Sequence, residues 1–282
     1  MKDNALSSLL AAAELKVLKF DNHRLRAIDY RNRVLRDYYM MTYVRSGSAK
    51  LRVGERVYVI SPGTVIFIPP GLTHDQYKDS DEETEFLWWH FTFKIQNVID
   101  VLPFLRIPYI YPLRDHRRFE AVFDELMRTQ RSSGRLLPTV LLQKAKSLEL
   151  LYVLLDNAIG LADAARPDSP TSGFLSVLLR IATMPEAPLT LADLARELHM
   201  NPTYVSNRFK DMFGQSPILL QREMKIAKAK AMLENGDRTV AEVGAAVGFQ
   251  DAQSFTRLFK KYAGITPGQY RRLFANDGPV EV

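Results

Sequence analysis

Near its C-terminal end the sequence repeats itself at a spacing of fifty residues: Asn201, Val205, Phe209, Lys210, Gly214 and Pro217 fall on Asp251, Phe255, Phe259, Lys260, Gly264 and Pro267. Upstream, Thr190 and Asp193 match Thr239 and Glu242 at an offset of forty-nine. Each pair is the Thr-x-x-acid signature of a helix start. The one-residue difference falls between the helices, where His199 and Met200 stand against Gly248, Phe249 and Gln250, and a turn absorbs it. Each copy therefore reads as helix, tight turn, helix, with the second helices over 201–213 and 251–263. A chain that carries this unit twice must fold a dedicated helical domain around it.

The inward faces of these second helices are apolar at helical spacing: Val205, Phe209, Met212 and Phe213 in one copy, Phe255, Leu258, Phe259 and Tyr262 in the other. Facing outward are Thr203, Ser206, Asn207 and Lys210, then Gln253, Thr256, Arg257 and Lys260. These are hydrogen-bonding side chains of a length suited to base edges, followed one turn later by a cation suited to phosphate. A single such helix is more economically read as the solvated face of a bundle. Two copies with matched caps, cores and lysines point instead to a helix-turn-helix pair for double-stranded DNA. A helix over 218–234, with Ala227, Ala229 and Ala231 on it and Arg222, Lys225, Lys228 and Lys230 giving a basic face, is expected to hold the two units apart as a rigid spacer.

The rest of the chain reads differently. From residue 38 to 93 short apolar or alternating runs (38–44, 49–53, 56–60, 64–68 and 85–93) are separated by Ser46-Gly47, Gly54-Glu55, Ser61-Pro62-Gly63 and Pro69-Pro70-Gly71. Evenly spaced strands with hairpin-length turns suggest a small jelly-roll barrel able to enclose one small ligand. Along 85–93, Phe86, Trp88, His90 and Thr92 alternate with Leu87, Trp89, Phe91 and Phe93, so both faces are bulky and one must be covered from outside the barrel. Trp88, Tyr43 and Phe67 either wall a ligand pocket or fill the barrel, and His74 either meets a ligand or satisfies a buried carbonyl.

Beyond Pro112 the period lengthens, and helices are expected over 114–130 and 136–158, joined by Ser132-Ser133-Gly134. The second carries Leu137, Leu141, Ala145, Leu148, Tyr152 and Leu155 in a heptad-like stripe. Part of that stripe covers the barrel, and the remainder is expected to meet a second copy in a homodimer. The segment 162–173, rich in Pro and Ser, reads as a linker.

The 282-residue chain has 46% hydrophobic and 25% charged residues, enough for two cores. Its net charge of +6 permits a polyanionic partner. The absence of cysteine excludes disulfides, thiolate chemistry and Cys-bound zinc. Residues 5–17 lack the basic-then-apolar order of a signal peptide and no run reaches bilayer length, so a cytoplasmic location without membrane contact is expected. His23, His74, His90, His116 and His199 show no metal-ligand spacing. A metal site would need folding to gather His74, His90 and Glu85. No cofactor is expected.

Two stretches carry a family resemblance. Gly244-Ala245-Ala246-Val247-Gly248-Phe249, Phe255-Thr256-Arg257-Leu258-Phe259-Lys260-Lys261 and Gly264-Ile265-Thr266-Pro267-Gly268-Gln269-Tyr270-Arg271 resemble the signature of the AraC/XylS family of bacterial transcription regulators. More weakly, Pro62-Gly63, Ile68-Pro69-Pro70-Gly71 and His74 resemble the cupin sensor domain of its arabinose-type members. The resemblance implies an effector-responsive regulator with a bilobed DNA-binding domain, each lobe setting one helix into the major groove; promoter DNA, a second copy of the chain and RNA polymerase are the expected macromolecular partners. It puts base reading on Thr203, Ser206 and Asn207 in the first unit and on Ala252, Gln253, Ser254 and Arg257 in the second, beside Thr256. Phosphate contacts are expected from Lys210, Lys260 and Lys261, and effector contacts from Arg31, Tyr43, His74, Trp88 and His90. Asn207 stands where many members have Arg, which favours adenine over guanine as its partner. Gly244 replaces a usual Ala and permits close approach of the recognition helix. His90 replaces an aromatic of the arabinose sensor, so arabinose is not named as the effector. A cupin enzyme that uses a metal, fused to a helical module, is the alternative reading.

The expected fold is therefore α+β in two domains. A cupin-like, jelly-roll barrel followed by a helical hairpin takes 1–160, a linker 161–173, an all-α domain with two helix-turn-helix units joined by a long helix 174–275, and a tail 276–282.

Overall fold

A computed structural model describes residues 3–131, 137–159, 171–234 and 238–275. The tail, the turn at 132–134 and most of the expected linker lie outside these residues. Helix α1 (Asp3–Ala12) precedes the strands β1 (Glu14–Leu25), β2 (Asp29–Val34), β3 (Tyr39–Ser46), β4 (Ala49–Val53), β5 (Arg56–Ile60), β6 (Thr64–Ile68), β7 (Thr73–Tyr77), β8 (Thr84–Ile95), β9 (Ile99–Asp100) and β10 (Ile110–Pro112). Then come α2 (His116–Arg131), α3 (Leu137–Ile159), α4 (Thr171–Thr183), α5 (Leu191–Leu198), α6 (Pro202–Phe213), α7 (Pro217–Glu234), α8 (Val240–Ala246), α9 (Ala252–Ala263) and α10 (Pro267–Ala275). Contacts divide the chain into two units. Of the described residues, one holds 14–93, 100–131 and 137–159, the other 3–13, 94–99, 171–234 and 238–275. Residues 3–13 thus group with the helical unit and not with the barrel domain to which the sequence assigned them. Helix α1 is too short to stand alone, and it lies against α4 with Leu9 fully buried.

In the barrel unit one sheet runs in the order β1-β8-β3-β6-β10 and the other β2-β7-β4-β5. Their inner faces share a core: Met40, Val44, Ile66, Ile68 and Phe86 from the first meet Ala49, Leu51 and Ile60 from the second. The outer face of the first sheet is buried as well, through Tyr39, Met41, Tyr43, Leu87, Trp89 and Phe91. Its cover comes from α2 and α3: Tyr43 packs on Phe119 with ring centroids 4.9 Å apart, and Asn157 Nδ2 donates to the Pro112 carbonyl at 2.6 Å. Of α3, Leu150, Leu151, Val153 and Leu154 are buried, whereas Leu141, Leu148 and Tyr152 are more than half exposed. Ala145 is exposed and Leu155 intermediate, while the side chain of Leu137 lies outside the described residues.

In the helical unit, α7 lies against both pairs, α5 with α6 and α8 with α9. Gln221 on α7 is buried and donates from Nε2 to the carbonyls of Pro185 and Ala187, at 3.0 and 2.6 Å, which ties the spacer helix to the loop after α4. The second pair closes over Ile226, Ala229, Leu233, Val243, Val247, Phe255 and Phe259. At Gly244 helices α8 and α9 pack closely, since a Cβ there would stand 3.0 Å from the Phe255 ring.

Candidate ligand cavity and nucleic-acid interface

The two outer helices are built alike. Asn201 caps α6 by accepting from the backbone N–H of Thr203 at 2.8 Å, and Asp251 caps α9 by accepting from that of Ser254 at 2.7 Å. That backbone donor holds the Asp251 carboxyl below the ordinary carboxylate range. Both helices stop at a glycine in the left-handed region, Gly214 at φ 81° and Gly264 at φ 79°, where other residues would be strained. The reciprocal capping box is complete at Thr239 and Glu242. At Thr190 the Asp193 carboxylate meets the Thr190 hydroxyl instead.

Between these caps the two helices present matching exposures except at Tyr204 and Arg208, which are exposed where Ser254 and Leu258 are partly buried. Val205 and Phe209, like Phe255 and Phe259, are fully buried. Thr203, Asn207, Lys210, Ala252, Gln253, Arg257, Lys260 and Lys261 are exposed, and Ser206, Ser254 and Thr256 are partly so. None of the expected DNA-contacting side chains is buried. Two further exposed candidates, Tyr204 and Arg208, escaped the sequence reading. Comparing the copies hid Arg208, because its counterpart is the partly buried Leu258.

The barrel encloses a cavity of about 280 Å³, at the low end of the ~300–1,000 Å³ usual for small-molecule sites. Strand parity decides what lines it. On β8, Phe86, Trp88 and His90 face inward, opposite Met40 and Thr42 of β3, in the register Met40–His90 and Thr42–Trp88. Tyr43, one residue out of phase, faces the other way and donates its hydroxyl to Glu120 Oε1 at 2.8 Å. It is not part of the cavity wall. Glu85 also faces away from His90, pairing with Arg24 and Arg45, so His74, His90 and Glu85 are not gathered about a metal.

Arg31 requires a correction. The register of β2 on β7 shifts between Tyr30 and Arg33, with Asn32 at φ 49°, the extra residue of a bulge. The bulge turns both Tyr30 and Arg33 to the cavity. Arg31 is carried outside, where it pairs with Asp29 and Asp75 and lies over the Tyr77 ring at 4.2 Å. His74 is buried, with Nδ1 bonded to the Leu72 carbonyl at 3.0 Å, and does not reach the wall. Burial lowers its pKa.

Trp88 and His90 do line the cavity, with ring centroids 4.6 Å apart. Burial first, then Arg33 and Lys19, push the His90 imidazole down to about 4, so it is neutral near pH 7. Lys19, His23, Tyr30, Arg33 and Gln76 complete the polar lining. Sequence reasoning missed all five, because β1, β2 and β7 carry polar residues on their exposed faces and so lack the apolar alternation that marks a strand.

A barrel with a lined cavity and a duplicated helix-turn-helix on one chain define a regulator that binds a small ligand and DNA. Comparison with known proteins agrees. Residues 22–154 match the model of the AraC-like ligand binding domain, and residues 194–273 match a helix-turn-helix domain. The chain is 30% identical over 261 residues to the MmsAB operon regulatory protein of Pseudomonas aeruginosa, covering 89% of this chain and 80% of that protein. It is 23% identical over 253 residues to the arabinose operon regulatory protein of Escherichia coli, covering 83% and 80%. Among solved structures, apo ToxT K231A of Vibrio cholerae aligns over 93% of this chain and 97% of that one, at 14% identity and a TM-score of 0.37. This chain belongs to the AraC/XylS family of transcription regulators. It is a DNA-binding regulator with a ligand-binding domain, and the matched domains and relatives are those of regulators rather than enzymes. Among the described residues no helix is long and apolar enough to cross a membrane.

Proposed function

We propose that a small metabolite, of the size of a sugar or sugar acid, enters the barrel cavity and changes how α6 and α9 engage promoter DNA in the cytoplasm. The observation that carries the reading is the pairing, on one chain, of a lined cavity with two matched, capped and outward-facing helices. In this reading Thr203, Ser206, Asn207, Ala252, Gln253, Ser254, Thr256 and Arg257 read base edges. Lys210, Lys260 and Lys261 hold phosphates, and RNA polymerase is a further partner. The effector acts by binding one arrangement of the regulator more tightly than another, since equal affinity would shift nothing.

A screen of sugars, sugar acids and aromatic acids tests it: a ligand of the folded form raises the melting temperature and, on this reading, also alters promoter affinity. Trp88→Ala is expected to abolish that response while basal DNA affinity stays as it was. A variant that keeps the full response would remove the cavity from the mechanism.

A second copy of the chain is the proposed partner for α3. Leu141, Ala145, Leu148, Tyr152 and Leu155 follow one another at spacings of four and three, the seam of a two-stranded coil. The first four of them are exposed. Pairing two readers raises affinity without new contacts to DNA. Sedimentation should give a dimer for the wild type and a monomer for Leu148→Asp. A wild type that stays monomeric at high concentration would end the proposal.

A further inference from the structure

The cavity is chemically lopsided, and the order of the strands explains how. Lys19 and His23 come from β1, the edge of one sheet, and Tyr30 and Arg33 from β2, the edge of the other. The connection from Leu25 to Asp29 joins those two edges directly. From the far side, β4, β5 and β6 contribute only Ala49, Ile60 and Ile66. Lys19, His23 and Tyr30 are exposed, whereas Ala49, Ile60 and Ile66 are buried. The cations therefore stand at the mouth, and the floor is apolar.

The charge at that mouth is uncompensated. No Asp or Glu lines the cavity, and among the described residues no carboxylate forms a salt bridge with Lys19 or Arg33. Several arginines on the barrel's outer surface are paired: Arg31 with Asp29 and Asp75, Arg45 with Glu85, Glu120 and Asp124, and Arg52 with Asp75. Lys19 and Arg33 lie instead over aromatic rings, Trp88 at 5.6 Å and Tyr30 at 5.2 Å. Two buried nitrogens of the wall, His90 Nε2 and Trp88 Nε1, have no hydrogen-bond partner. A buried donor left unmatched is costly, which leaves the wall beneath the two cations with polar groups to satisfy. Near pH 7 His90 is neutral, so one ring nitrogen still carries a proton to donate.

We infer that the cavity takes a small monocarboxylate, its carboxylate held at the mouth by Arg33 and Lys19 beside the rings of His90 and Trp88, and its carbon skeleton lying on Met40, Ile60 and Ile66. A neutral sugar would leave both cations unmatched and set hydroxyls against the apolar floor. A dicarboxylate would bury its second charge there, with nothing to pair it. This inference rests on the reading of the cavity as the effector site and names the class of effector.

The experiment uses the full chain and matched probes: butyrate, hexanoate and benzoate against 1-butanol, 1-hexanol and benzyl alcohol, with arabinose and xylose as neutral pentoses. Binding is read by calorimetry and by Trp fluorescence. Each carboxylate should bind at least about tenfold tighter than its alcohol, a difference of ~1.4 kcal/mol. That preference should fall to about twofold or less in Arg33→Gln/Lys19→Gln, persist in part in Arg33→Lys, and remain whole in Arg26→Gln, whose exposed cation lies outside the wall. If alcohols or pentoses bind as tightly as the carboxylates, or the double variant keeps the preference, the anion assignment is overturned while the effector cavity stands. If no probe of any class binds, both readings fall together.

Discussion

Replacing Phe255 with alanine is expected to cost the helical unit about 3–5 kcal/mol, the usual range for truncating a buried aromatic, and to abolish specific DNA binding. Phe255 is fully buried, with Phe249 and Phe259 rings 5.5 and 5.7 Å away, and its side chain packs tightly on Gly244, where a Cβ would stand 3.0 Å from it. The cavity left behind cannot collapse easily, because α8 and α9 are already in close approach. Loss of this side chain frees α9 from α8, so Arg257 and Lys260 no longer share a fixed frame. The barrel has its own core and should keep its ligand affinity. Denaturant unfolding of the full chain, alongside ligand and DNA titrations, checks the three parts together. Undiminished specific binding by Phe255→Ala would mean that this core does not hold the reading helix.

Arg257→Ala is expected to weaken specific binding by about 1–3 kcal/mol and to relax the preference at one base position, as loss of a bidentate base contact does. Lys260→Ala should weaken every sequence alike and lower the salt slope by about one. The contrast follows from position: both side chains are exposed on α9, but Arg257 is one turn nearer the capped N-terminal end, the part of a recognition helix that meets base edges. Titrating specific and random duplexes over a range of salt separates the two. Identical behaviour of the two variants on both duplexes would undo the division between reading and anchoring. Asn207→Arg gives the first unit the Arg that the second has at 257, and is a natural companion for comparing preference at the matching base.

How much of this was legible in the chain depended on periodicity. The helical unit was read nearly residue by residue, because capping residues, apolar spacing and terminal glycines are local signals and each occurs twice. The strands 39–46, 49–53, 56–60 and 64–68 were legible because a strand with a buried face alternates or runs apolar, and the turns between them are marked by Gly and Pro. Strands β1, β2 and β7 were not, since their outward residues answer to water and their inward ones to a cavity rather than to a core. Parity placed Trp88 and His90 together on one face of β8. Arg31 was named from the family resemblance, not from parity, and a bulge at Asn32 sets the phase of that strand, a shift that only the pairing of β2 with β7 reveals.

The amino-acid order alone thus determined the class of the protein: a duplicated, capped helical unit following a barrel, free of cysteine and of clustered metal ligands. Tertiary structure decided what the barrel can hold. Which residues share a cavity depends on strands distant in sequence, on a one-residue slip in register, and on which sheet edges lie side by side. Those features brought Lys19 and Arg33 to one mouth and left Arg31 outside it.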